Sequence, residues 1–79
     1  MAVWSDNRNN VRYRINDIDH APPHCHVVYR GRRLRVALET FEVLSPRGFA
    51  LPSTVRHYLR ENQLAMLEAW QHVQDLDEL

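Results

Sequence analysis

The sequence predicts an α+β fold: a small antiparallel sheet of three to four strands in a meander, covered on one face by a long C-terminal amphipathic helix. Three observations predict it. Val11-Arg12-Tyr13-Arg14-Ile15 alternates apolar and charged residues with the period of two that strand side chains follow. Two further alternating runs flank the glycine at Gly31, which suits a hairpin turn. From Val55 onward, Val55, Tyr58, Leu59, Asn62, Met66, Ala69, Trp70 and Val73 recur at helical spacing.

The 79 residues suffice for one domain with one core, with the core about residues 11 to 73. A hydrophobic content of 44% against 25% charged residues is that of a globular chain and excludes wholesale disorder. The single cysteine cannot form an internal disulfide. No basic start followed by an apolar run marks a secretion leader, and no apolar stretch is long enough to span a bilayer. A soluble, cytoplasmic protein is the expectation, with no membrane partner. The net charge of zero conceals an asymmetry: residues 1 to 35 carry seven Arg against three Asp, and residues 36 to 79 carry three Arg against seven acidic residues. All ten basic residues are arginine, the side chain that suits bidentate contacts with phosphate or carboxylate. A GC-rich genome would produce the same bias.

Ala2 to Trp4 offers a short first strand, and Ser5 to Asn10 is a cluster of turn formers. Val11 to Ile15 is a strand with Arg12 and Arg14 outward. Asn16 to Asp19 is a polar loop, and the Pro22-Pro23 step keeps His20 to Pro23 out of helix and ladder because two backbone donors are missing. From His24 the next strand places His24, His26 and Val28 on one face and Cys25, Val27 and Tyr29 on the other. With Gly31-Arg32 as a type II′ turn, Arg30 pairs with Arg33, Tyr29 with Leu34, Val27 with Val36, Cys25 with Leu38 and His24 with Glu39. A short strand follows at Glu42 to Leu44. Pro52 is placed as the first helical residue, where its missing N–H costs nothing. Asn62 interrupts the apolar stripe and leaves a break in the helix open. Acidic residues at 75, 77 and 78 oppose the helix dipole, so that end should fray.

The stretch His20-Ala21-Pro22-Pro23-His24-Cys25-His26-Val27-Val28-Tyr29 holds three of the five histidines. It is followed by the Gly31 turn, Glu39-Thr40-Phe41-Glu42-Val43-Leu44, the Leu51-Pro52 helix start and a closing helix with Trp70. In this order the chain resembles the small bacterial family known as domain of unknown function four-one-six-zero, in its HNPPHFH-type version, over roughly residues 11 to 73. The resemblance implies a toxin-like member of a two-gene toxin–antitoxin module with a small cognate antitoxin-like partner, and implies no reaction mechanism. Cys25 stands where an aromatic residue or Val is usual, and the opening MAVWSDNRNN departs from the commoner start.

Three functions compete on these residues. In the first, the outer sheet face with Arg12, Arg14, Arg30, Arg33 and Arg35 binds RNA, and His24 and His26, with His20 and Glu39 beside them, act as acid and base of a metal-independent ribonuclease. Inward-facing Tyr13 and Tyr29 leave that face without aromatics for base stacking. In the second, the same face docks an acidic partner protein without catalysis. In the third, His20, His24 and His26 ligate a metal with Glu39 in support. The continuations that would name a known metal fold are absent, so no metal and no cofactor is assigned. The bland alternative is that proline-flanked histidines satisfy backbone carbonyls in an irregular segment. Cys25 is expected inward and inert, His57 and His72 on the surface, and a homodimer stays open.

Overall fold

The computed structural model describes residues 2 to 16 and 21 to 77, with side chains over 4 to 16 and 21 to 72. Five strands, β1 (Ala2–Arg8), β2 (Val11–Asn16), β3 (His24–Tyr29), β4 (Arg32–Ala37) and β5 (Val43–Ser45), precede one helix, α1 (Ser53–Asp77). Every strand pairs antiparallel with its chain neighbour, so the sheet order is β1-β2-β3-β4-β5. This is the expected α+β meander with one strand more than the upper expectation.

The additional length comes at the start. Ser5 to Asn7, expected as turn, belong to β1, and the turn is confined to Asn9 (φ 56°) and Asn10 (φ 62°), with Arg8 paired to Val11. A two-residue hairpin whose central residues are both left-handed matches the twist of its strands, and Asn tolerates that conformation. Polar residues persist in β1 because its inward side chains find partners on Tyr58. Trp4 Nε1–H donates to the Tyr58 hydroxyl at 3.1 Å, that hydroxyl donates to Asp6 Oδ2 at 2.8 Å, and the Arg8 guanidinium lies 5.8 Å from the ring centroid.

The β3–β4 register differs from the expected one by two residues. Tyr29 pairs with Arg32, Val28 with Arg33, His26 with Arg35 and His24 with Ala37. The turn is Arg30 (φ 48°) and Gly31 (φ 78°), both left-handed, instead of Gly31-Arg32, and the like-charge Arg30 to Arg33 pairing does not occur. Because strand faces repeat every two residues, the shift leaves each side chain on its expected face. Val27 opposes Leu34 and Cys25 opposes Val36, all four buried. The fourth expected strand appears one residue later, as β5.

The helix begins one residue later than expected, at Ser53, with the Pro52 carbonyl accepting from the Arg56 N–H at 3.0 Å. It runs through Asn62 without a break, the Asn62 side-chain amide donating to the Tyr58 carbonyl at 2.9 Å. Its buried stripe of Val55, Tyr58, Leu59, Met66 and Trp70 closes on Tyr13, Ile15, Val27, Leu34, Val36 and Leu38 of the sheet. Each such side chain contributes about 1.5–3 kcal/mol through burial. The Tyr13 and Tyr58 rings stack at 3.6 Å between centroids. Past β4, the Gln63 amide donates to the Leu38 carbonyl at 2.8 Å and ties the strand end to the helix. Among the described residues no helix is long and apolar enough to cross a membrane.

Candidate nucleic-acid interface

With α1 on the inner face, the outer face carries the alternate residues of each strand. The pairing fixes two rows across it. Arg14, His26 and Arg35 form one row, extended by Ser5 on β1 and Ser45 on β5; Arg12, Val28 and Arg33 form the next, extended by Asn7. Cross-strand neighbours stand about 4.5–5.5 Å apart at Cα, and rows two residues apart lie roughly 7 Å from one another. Arg12, Arg14, Arg33 and Arg35 are all exposed, while His26 and Val28 are half-buried between them. Arg12, Arg14, Asn16, His26, Val28 and Arg33 line a shallow depression of about 350 Å³. No described carboxylate forms an ion pair with these four guanidiniums; the ion pair among the described residues is His57 with Glu61, at 2.8 Å on α1. Arg30, expected in this group, sits instead in the β3–β4 turn with its guanidinium 5.3 Å from the Tyr29 centroid.

The histidines separate. His24 is 3% exposed, whereas His26 is half-buried at the centre of the outer face. Their rings lie 5.1 Å apart, and the His24 ring also meets Trp70 at 5.2 Å. The helix is longer than the strands it covers: 25 residues span about 37 Å at ~1.5 Å per residue, against about 20 Å for a six-residue strand. Trp70, about two thirds of the way along α1, meets the ring of the first residue of β3. His24 Nδ1 lies 2.9 Å from the Pro22 carbonyl oxygen, which can only accept, so Nδ1 carries the proton. That bond is what the proline-flanked backbone reading expects. Glu39 is exposed in the turn beyond β4 and does not face His24, whose pairing partner is Ala37. His20 lies outside the described residues. Among the described residues no group of three His, Cys, Asp or Glu side chains comes together to hold a metal.

Cys25 is buried, its thiol pushed up to about 12 mainly by burial, with Sγ donating to the His26 carbonyl at 3.5 Å. A thiol so placed does not ionise at neutral pH and is no nucleophile.

A second basic feature lies where Ser5 to Asn10 had been read as a turn alone. Arg8 and Asn9, at the β1–β2 turn, face Thr54, Arg56, Tyr58 and Arg60 of α1 across a cleft of about 540 Å³. The spacing of Arg56 and Arg60, four residues apart and hence on one helix face, was the available sequence signal. Nothing in sequence placed Arg8 opposite them.

Fold and surface together define a small α+β protein, a five-stranded meander beneath one long helix with an arginine grid on its free sheet face. Within that class the chain belongs to DUF4160, a domain of unknown function, whose family model matches residues 11–71. No curated protein and no solved structure matches it.

Proposed function

We propose that this protein is the toxin-like component of a toxin–antitoxin module, and that it acts by binding RNA through the outer face of its sheet. The observation that supports the reading is the grid of Arg12, Arg14, Arg33 and Arg35 around His26, four exposed guanidiniums with no described carboxylate among them. Such a surface binds a phosphate backbone by counterion release and carries little base specificity, since Tyr13 and Tyr29 are turned to the inner side. Cleavage rests on His26 as the base that takes the 2′-hydroxyl proton while the 2′-oxygen attacks phosphorus and displaces the 5′-oxygen, which takes its proton from water, because buried His24 cannot reach a substrate from beneath Trp70. His24 then orients its neighbour.

Titrating binding of a single-stranded RNA against salt tests the reading. Each phosphate contact on a single strand adds about 0.7 to the slope of log K against log salt, so Arg33→Ala with Arg35→Ala should lower that slope by roughly 1.4. His26→Ala should leave binding nearly intact and abolish cleavage or growth inhibition, since a proton-transfer group acts on the chemical step. Salt-insensitive binding ends the RNA reading. If the arginine variant binds RNA normally but loses an acidic antitoxin-like partner, the face is a protein-docking surface instead.

A further inference from the structure

We infer that the RNA path does not end on the sheet but turns round the hairpin end of the molecule into the cleft against α1, where Arg8, Arg56 and Arg60 hold a second run of phosphates of the same strand. This rests on the RNA reading of the outer face and specifies the form of RNA: a single strand long enough to reach both sides.

The surface itself supplies the track. The depression on the outer face shares Arg12 and Val28 with a second one, lined also by Asn7, Asn9 and Asn10. Asn9 in turn lines the cleft that holds Arg8, Arg56 and Arg60. Three concavities thus meet through shared residues, from His26 on one face of the sheet to the first turns of the helix on the other. The residues at the bend are asparagines, of which Asn9 and Asn10 have left-handed backbones, and all are neutral and able to donate hydrogen bonds to phosphate oxygens. Among the described residues no acidic side chain lines the bend, and within the cleft the one described carboxylate, Glu61, is engaged by His57 at 2.8 Å. Arg56 and Arg60 are exposed and four residues apart, so they leave one helix face with their Cα atoms about 6 Å apart along the axis at ~1.5 Å per residue.

The bend selects the strand type. The molecule measures 37 × 23 × 20 Å. Double helices are stiff, with a persistence length of about 50 nm for DNA, and cannot wrap an edge of those dimensions, whereas a single strand can.

The test measures affinity across salt for single-stranded RNAs of about four and about twelve nucleotides, lengths within the ~4–16 nucleotide footprints of compact single-strand binders. The variant Arg56→Ala with Arg60→Ala replaces exposed helix residues by the best helix former, so thermal melting should match the parent protein. The expected result is a slope lower by roughly 1.4 for the twelve-mer, from two lost contacts of about 0.7 each, with the four-mer unchanged. A duplex of the same length should be indifferent to these two substitutions. Three outcomes overturn the inference. If neither length responds while Arg33→Ala with Arg35→Ala weakens both, the cleft holds no RNA and the sheet reading stands. If only the cleft variant matters, the sheet reading fails and there is no path joining the two. If duplex and single strand lose affinity equally, the strand does not turn the edge.

Discussion

His24 is the residue whose role changes most once its surroundings are known. Its Cβ leaves the outer face of β3 beside His26, yet its ring is covered by Trp70 and its Nδ1–H is held by the Pro22 carbonyl. Removing the ring takes away a hydrogen bond and uncovers part of the indole. His24→Ala should therefore cost roughly 2 kcal/mol in urea unfolding, where an exposed histidine would cost nothing measurable. Trp70→Ala should cost about 3–5 kcal/mol. Because the two rings touch, the costs should not add: the double variant should fall short of their sum by at least about 0.5 kcal/mol. Additive losses would show that the contact contributes nothing. His26, only half-buried, should be replaceable with less loss, and this difference in burial separates the structural histidine from the one we propose for chemistry.

At the scale of elements, the two tight hairpins are both left-handed at their central residues, but only one uses residues suited to it. Asn9-Asn10 tolerates the conformation, whereas Arg30 enters it at φ 48° against the steric preference of an L side chain, which costs on the order of 1–2 kcal/mol. The cation–π contact of Arg30 with Tyr29 returns about 0.5–1 kcal/mol at such an exposed site. Arg30→Asn, which creates the Asn-Gly pair favoured in this turn, should raise stability by roughly 0.5 kcal/mol. A lower melting temperature would mean that the stacked guanidinium outweighs the backbone strain. These hairpins also show what sequence could and could not deliver. Alternation in Val11 to Ile15 and His24 to Tyr29 assigned each side chain to its face, because faces depend only on parity. Register depends on which residues accept a positive φ, and Arg30 doing so is not a preference visible in composition. The expected pairing was accordingly two residues out while the four arginines Arg12, Arg14, Arg33 and Arg35 still fell on the outer face. Burial of His24 was hidden for another reason: it depends on a tertiary contact with Trp70 of α1, which no local pattern encodes.

The whole molecule is governed by a core in which three protonated acids are buried together. Burial pushes the Cys25 thiol from 9.0 up to about 12 and the Tyr13 hydroxyl from 10.0 up to about 12, and raises Tyr58 as well, where the hydrogen bond to Asp6 adds to burial. All three are neutral when protonated. Above pH 9 the unfolded chain releases the cysteine proton while the folded one keeps it, and above pH 10 the tyrosines follow, so the unfolded state gains. The stability is complete below pH 9 and should then fall by about 1.4 kcal/mol per pH unit for each group that ionises only on unfolding. Urea unfolding between pH 7 and pH 11 measures this, and Cys25→Ala should flatten the first part of the decline. A constant free energy across that range would mean that these side chains meet solvent.

The order of elements has one more consequence, for the chain as it is made. All five strands precede α1, and the side chains that close the core, Met66 and Trp70, lie far along it. A ribosome therefore delivers the complete inner face of the sheet, with Tyr13, Val27 and Val36, before it delivers the cover. Until Trp70 emerges the nascent protein is a sticky half-sandwich, dependent on whatever shields it in the interval. The basic outer face needs no such cover and is assembled as soon as β4 pairs, beside the RNA-rich machinery that produces it.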